Sequence, residues 1–372
     1  MDIVALSALA LITYTYFGYP LMIAALARLA RAPRTRDPGY QPTVSVCMAV
    51  YNGEQYIAAK LDSLLELEYP HDHMQFLVYS DGSTDKTDEI VKSYAERDPR
   101  VVLLRGEQRS GKPTGLNALA RAATGEVLLM TDVRPHLARA TVRALVLPLS
   151  NPDVGCVSGN LVLRGNTGAG AYWHYEKFIR MSEARLGRMV GVTGTIYAIR
   201  RANFPVLPGD VILDDMWVPM QVTLAKKQIA FAEGAQAYED AFDDDREFGR
   251  KVRTLAGNYQ LFAASPRLLL PTVNPAWFQL LSHKVLRLVC PWALAVLLGA
   301  SMAAAFRASE LTESQRAFWQ AMVYAQCLFY GLAVLGARAG RLAGLARTFV
   351  VLNAAAVMGL WRFARGSQRV TW

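Results

Sequence analysis

The sequence predicts an α/β fold with a mostly parallel sheet, flanked by apolar helices long enough to cross a membrane. Three observations predict it. Between residues 43 and 132, four short apolar runs alternate with three stretches of helical periodicity, the spacing that gives parallel strands joined by right-handed crossovers. Acids stand at the ends of two of those runs, Asp81 and Asp132, where open α/β sheets bind ligands. Residues 3–27 and 286–361 are strongly apolar, whereas 37–275 have the composition of an ordinary soluble domain.

The first apolar run, 3–27, is long enough to span a bilayer. It lacks the basic start of a signal peptide, and aromatic residues and Pro20 interrupt it. Asp2 precedes it, and Arg28, Arg31, Arg34 and Arg36 follow. That asymmetry places the start outside and the rest in the cytoplasm. Residues 1–30 are thus read as a transmembrane helix and 31–42, with Pro33, Pro38 and Pro42, as a stiff linker.

Residues 43–263 read as the cytoplasmic domain. Residues 43–50 form a strand, Tyr51-Asn-Gly a turn, and 54–66 a helix. A strand at 76–79 runs into the acidic turn Ser80-Asp-Gly-Ser-Thr-Asp85. A helix opens at Ser83 or Thr84, with Asp85 and Asp88 in its first turn, where carboxylates suit the helix dipole. Residues 101–104 form a third strand, 113–123 a helix opened by proline, and 126–131 a fourth strand closed by Asp132. Beyond Asp153 the pattern loosens. Strands are expected at 154–158 and 195–200, a helix at 172–186, an acid pair followed by a helix at 211–224, and a basic helix at 246–262.

Residues 264–285, broken by Pro266, Pro271 and Pro275, suit an amphipathic segment lying on the bilayer with Trp277, His283, Lys284 and Arg287 at the interface. Apolar runs near 286–306, 317–336 and 342–361 make 286–362 the C-terminal transmembrane helices, before a tail at 363–372. The loop 307–316 is charge-balanced, as expected outside. If all three runs span, the tail with Arg362, Arg365 and Arg369 also ends outside, against the positive-inside rule. Either the tail is an exception, or one run is re-entrant or interfacial.

The 372 residues are 52% hydrophobic with a net charge of +9. The basic residues cluster at membrane borders and no aromatic-rich basic face appears, which argues against a nucleic-acid partner. Cys47, Cys156, Cys290 and Cys327 are widely spaced in apolar contexts, with neither zinc spacing nor a disulfide framework. The five histidines form no ligand set; His71 and His73 fall in a solvated loop.

Acids at several strand ends of such a domain suggest handling of a nucleoside diphosphate. Residues 106–112 fit the first seven positions of a Walker A loop, but Pro113 stands where a Ser or Thr should hold magnesium. That discounts an ATPase and leaves Lys112 as a point charge for phosphate or a base carbonyl. Asp132 could hold one Mg2+ or Mn2+ between diphosphate oxygens; read blandly, it caps a helix or pairs with Arg134. Asp214 and Asp215 beside an apolar helix should have separated pKa values, so that one serves as general base; the bland alternative is N-capping. Arg250, Lys251 and Arg253 on one helix could neutralise a departing diphosphate, or form a solvated face near anionic lipid.

The order of these motifs resembles the membrane-bound family 2 glycosyltransferases with their GT-A fold, the group containing cellulose, hyaluronan, chitin-oligosaccharide and poly-N-acetylglucosamine synthases. The matching stretches are 46–52, Ser80-Asp-Gly-Ser-Thr-Asp85, Gly111-Lys-Pro-Thr-Gly-Leu-Asn117, Thr131-Asp132, 191–200, Leu213-Asp-Asp215 and 250–258. The resemblance covers about residues 40–275. It implies that Asp81 hydrogen-bonds a uracil ring, with Tyr51 and Lys112 nearby. It implies Asp132 for metal and diphosphate, Asp215 as base with Asp214 in support, and Arg250 and Arg253 on the leaving UDP. Two departures stand out. The family's metal motif has a second acid where this chain has Arg134, and its Gln-x-x-Arg-Trp motif aligns with Arg250, Arg253 and Thr254.

The expectation is an inverting, multi-pass glycosyltransferase of a bacterial inner membrane, its catalytic domain cytoplasmic and its cofactor Mg2+ or Mn2+. It would move sugar from a UDP-sugar to a polysaccharide or lipid-linked acceptor. A single-transfer glycolipid synthase is the alternative enzyme, and a non-catalytic sugar-nucleotide-binding subunit of a secretion complex the alternative of another class. Besides membrane lipid, four apolar segments, few for a private polymer channel, leave room for a homodimer or a secretion partner.

Overall fold

The computed structural model describes residues 2–164, 169–240, 244–306 and 311–368. Arg307 and Arg369 of the charge argument lie outside them. The chain opens with α1 (Asp2–Thr13) and α2 (Tyr19–Leu29), joined by a π-turn at Tyr14–Gly18. Then β1 (Val44–Val50), α3 (Glu54–Leu65), β2 (Met74–Ser80), α4 (Thr87–Ala95), β3 (Val101–Arg105), α5 (Lys112–Ala122) and β4 (Val127–Thr131) alternate as the sequence predicts. The second half runs β5 (His136–Leu137), α6 (Thr141–Val146), β6 (Val154–Arg164), α7 (Ala169–Arg185), β7 (Ile196–Arg200), α8 (Asp214–Leu224), β8 (Gln228–Asp240) and α9 (Asp244–Ala264). The chain closes with α10 (Trp277–Leu280), α11 (Leu286–Phe306), α12 (Glu313–Leu335) and α13 (Arg341–Ala364).

Eight strands form one sheet in the order β3-β2-β1-β4-β7-β6-β8-β5. The first four are parallel, and β7 enters antiparallel to both β4 and β6. The sheet is therefore mixed, because only the first half of the sequence keeps strict strand–helix alternation. All seven residues of β1 are buried, as in a strand covered on both faces. Val44, Val46, Met48 and Val50 pack with Ile57 and Leu61 of α3 on one face. Cys47 and Ala49 pack with Leu116 and Leu119 of α5 on the other, following the period of two. Each fully buried aliphatic side chain contributes roughly 1.5–3 kcal/mol.

Helix α4 begins three to four residues later than the acidic turn suggests. Asp85 accepts at Oδ1 from the Thr87 amide at 3.0 Å and at Oδ2 from the Glu54 amide at 3.0 Å. One carboxylate thus caps two helix starts, and the turn before it is tied to Asn52, whose Oδ1 accepts from the Thr84 amide at 2.9 Å.

Four helical stretches are long and apolar enough to cross a membrane: Ile3–Leu29, Trp277–Phe306, Glu313–Ala339 and Arg341–Ala364. From Trp277 the helix runs through a π-turn at Leu281–Val285 into α11, so residue 285 falls inside continuous helix. Helix α13 lies along α9. A Cβ on Gly359 would come within 2.9 Å of the Ala256 amide nitrogen, so only glycine permits this approach. Of the four cysteines of apolar context, Cys47, Cys156 and Cys290 are buried, and Cys327 is exposed.

Candidate active site

Asp132 sits one residue past the end of β4, with its amide donating to the Thr195 carbonyl at 3.3 Å. Tyr51 sits one residue past the end of β1. Together with Lys112, Arg250 and Arg253 they line a cleft of about 300 Å³, whose wall also includes Asn52, Tyr56, Arg134 and Glu239. Five of the eight sequence-derived candidates therefore share one hollow. The basic helix α9 faces the carboxyl ends of β1 and β4 across it.

Lys112 links this cleft to the acid pair. Its Nζ donates to Asp132 Oδ1 at 3.0 Å and lies 3.2 Å from Asp214 Oδ2. Burial alone would lower the ammonium pKa. Asp132, Asp214 and Asp215 override burial and hold it above the usual lysine range. Lys112 is thus a fixed positive charge between the strand-end acid and the pair on α8. The sequence reading put it beside a base; the structure places it between carboxylates.

Asp214 is buried in the first turn of α8, and Asp215 is partly buried beside it. The Asp215 carbonyl accepts from the Val192 amide at 2.9 Å. A Cβ on Gly194 would stand 3.1 Å from Asp215 Oδ2, so the bare glycine lets the 191–195 loop close on this carboxylate. Burial, then the neighbouring Asp214, raise the Asp215 pKa from 3.8 to about 6, against the pull of Lys112 and Arg180. An acid that is ionised at neutrality yet more basic than an ordinary carboxylate suits proton abstraction.

Asp81 behaves differently from its expected role. It is 1% exposed, and its two oxygens accept from the Ser110 and Gly111 amides, each at 2.8 Å. The carboxylate anchors the 106–111 loop, and it does not line the cleft. From the same loop, the Arg109 guanidinium lies 4.0 Å over the Tyr51 ring. In this conformation the ring face expected to sit beside a base is covered.

The Asp132–Arg134 ion pair is replaced by two others. Asp132 takes Lys112, and Arg134 Nε lies 3.5 Å from Glu239 Oε1. Glu239, on β8, was not singled out from sequence. It is buried, its pKa is raised by burial against Arg134 and Arg250, and it lines the same cleft as Asp132. Lys60 was also missed. It is 1% exposed, and its Nζ donates to Thr131 Oγ1 at 2.8 Å and the Pro135 carbonyl at 2.7 Å. It braces both ends of the segment that carries Asp132 and Arg134.

Among the described residues, no group of three or more His, Cys, Asp or Glu side chains is poised to hold a metal. The cleft does present two carboxylates, Asp132 and Glu239. One or two carboxylates completed by substrate phosphate oxygens is a donor set that fits Mg2+ or Mn2+.

Residues 45–204 match the family model described as Glycosyl transferase family 2. The chain carries a glycosyltransferase family 2 domain. A mannosyltransferase from Pyrobaculum calidifontis, solved in complex with GDP-Man and Mn2+, superposes with a TM-score of 0.76 at 26% identity, covering 97% of this chain and 99% of that one. A probable glycosyltransferase of Bacillus subtilis, YdaM, is 28% identical over 179 residues, 45% of this chain and 43% of its own length. A beta-monoglucosyldiacylglycerol synthase of Nostoc sp. is 27% identical over 202 residues, 51% of this chain and 43% of its own. This chain thus aligns with less than half the length of those two curated relatives. With these likenesses the mixed sheet and its flanking helices are a GT-A fold.

Proposed function

We propose that this chain is a sugar-transferring enzyme that takes its sugar from a UDP-sugar and gives it, with inversion, to a polysaccharide or lipid-linked acceptor. The carrying observation is Lys112, which joins Asp132 of the cleft to Asp214, the neighbour of Asp215. The diphosphate lies in the cleft against Arg250 and Arg253, whose charge grows in value as the leaving group separates. Asp132 and Glu239 would hold a divalent ion there, and when bound it would neutralise diphosphate charge. Asp215 takes the proton of the acceptor hydroxyl. The new bond forms at the anomeric carbon as its bond to the diphosphate oxygen breaks, in one in-line displacement. Asp214 makes Asp215 more basic, while Lys112 holds it ionised.

Asp81 and Tyr51 bind the base in this reading, after Arg109 leaves the Tyr51 ring and the 106–111 loop releases the Asp81 carboxylate. The Pyrobaculum calidifontis structure holds GDP-Man, so the test offers UDP- and GDP-sugars side by side. Turnover with UDP-sugars at least tenfold faster supports the uracil reading; a preference for GDP-sugars rejects it. Excess chelator should stop turnover and added Mn2+ restore it, whereas full activity in chelator would reject the metal. In this reading the catalytic domain faces the cytoplasm at the inner membrane, which the arginines after residue 27 and the four apolar helices support.

Single transfer to a lipid is favoured within this reading by residue 254. Where the resemblance implies an acceptor-stacking tryptophan, Thr254 stands, and it lines a second cavity beside the apolar helices. A homodimer and a secretion partner remain proposals without a contact of their own.

A further inference from the structure

The second cavity holds about 250 Å³ between α7, α9, the π-turn before α11, and α13. Among the described residues its charged lining is mostly basic: Arg180, Arg250, Lys251, Lys284 and Arg287 face it, with the acid Glu176. Glu176 is already engaged, ion-paired with Arg287 and lying 3.2 Å from His283 and 3.6 Å from Lys284. Arg287 donates from Nη1 to Tyr172 at 3.3 Å and to Glu176, while its buried Nε and Nη2 have no hydrogen-bond partner among the described residues. The Arg180 Nε is likewise buried without one. Orphaned guanidinium donors in a closed site are costly unless an anion meets them.

Beside the polar Thr254 and Asn258, apolar side chains from Leu163, Trp173, Leu255 and Leu352 also line it, and Leu352 belongs to a helix long and apolar enough to span a membrane. The cavity adjoins the sugar-transfer site through shared residues. Arg250 lines both hollows. Arg180 donates to Thr193 Oγ1 at 3.4 Å, in the loop that closes over Asp215.

We infer that this cavity binds the phosphate group of a lipid-linked acceptor, with the guanidinium groups of Arg287 and Arg180 on the phosphate and the lipid chain leaving along α13. Guanidinium forks match phosphate oxygens, and the leucines and Trp173 match a chain that arrives from the bilayer. The acceptor's hydroxyl-bearing end then lies toward Asp215. The inference rests on the proposed function and narrows its acceptor from any saccharide to one carried on a lipid phosphate.

The test uses the full chain in a neutral detergent, with farnesyl phosphate, farnesol and inorganic phosphate as probes and tryptophan fluorescence as the readout. Saturable binding of farnesyl phosphate is expected, at least tenfold tighter than either other probe. Lys251→Glu, which reverses a charge that lines only this cavity, should weaken it at least tenfold. Arg287→Gln should do the same, and Lys251→Glu guards against misfolding of that buried variant. Donor hydrolysis by water is measured alongside in the unmutated chain. Farnesol binding as tightly as farnesyl phosphate would overturn the inference, and so would inorganic phosphate doing so. So would farnesyl phosphate binding that Lys251→Glu leaves intact. Loss of donor hydrolysis in the unmutated chain would instead count against the proposed function.

Discussion

Asp215 is where the account is most exposed. Its pKa near 6 means that the basic form exists above about pH 6 and is lost below it. Turnover should therefore rise with unit slope through about pH 6, and a flat profile from pH 5 to 8 would reject Asp215 as base. The same shift has a stability consequence. A carboxyl that binds its proton more tightly in the folded state than the ordinary 3.8 makes stability fall as pH rises from about 4 to about 6. At neutral pH the ionised group is a standing cost, so Asp215→Asn should melt no lower than the natural chain, a trade between stability and activity. A clearly lower melting temperature would contradict this. Lys112 works the other way. Replacing it with Met leaves Asp132 and Asp214 without their shared cation, and breaking a buried pair costs roughly 3–5 kcal/mol. Calorimetry should show that loss, and a change below 1 kcal/mol would mean the pairing carries little. Asp132, Asp214 and Asp215 could be found in the sequence because acids at strand and helix ends are visible there. Which cation they would meet was not, since Lys112 arrives from twenty residues upstream of Asp132 by tertiary folding alone.

Single elements decide how these residues meet. The four parallel strands of the first half were legible because buried strands write continuous apolar runs. Strand β8 was not: its stretch QIAFAEGAQAYED is rich in alanine, with few of the β-branched residues that mark a strand. Glu239, the second carboxylate of the cleft, went unseen with it. Lys60 was hidden for another reason, because a lysine on an amphipathic helix reads as a solvated face. Buried, its pKa falls from 10.5 to about 7. Between about pH 7 and 10 the unfolded chain holds more protons, so stability should rise with pH across that window. Lys60→Met should remove that rise; thermal melts at pH 6.5 and 9 compare the two, and identical pH dependence would refute it. Helix α7 is joined to the apolar helices through Glu183. This fully buried side chain accepts from Tyr19 at 2.6 Å and contacts His283 Nδ1 at 2.8 Å, bridging α2 and the start of the Trp277–Phe306 helix. The sequence showed five histidines without a ligand set and gave no sign that one was buried between two glutamates. Glu183→Ala should lower stability by about 3 kcal/mol or more, with trypsin cleavage near the 31–42 linker as the readout. Unchanged protease resistance would mean the bridge is dispensable.

At the scale of the whole molecule, sugar chemistry is built against a set of apolar helices. The same basic helix, α9, faces the cleft with Arg250 and Arg253, lines the second cavity with Arg250 and Lys251, and packs its back on α13. That geometry lets one helix feel both a leaving diphosphate and whatever enters from the apolar side. The sequence located both halves by composition, but the joint between them depends on the close approach at Gly359 and on charges far apart in the chain. The most direct test of the central claim is release of nucleoside diphosphate from a UDP-sugar by purified protein, compared with Asp215→Asn at equal donor occupancy. Acid–base catalysis of this kind contributes roughly 10²–10⁴-fold, so the account predicts release at least a hundredfold slower in the variant with donor affinity unchanged. Release at the natural rate by Asp215→Asn would contradict it.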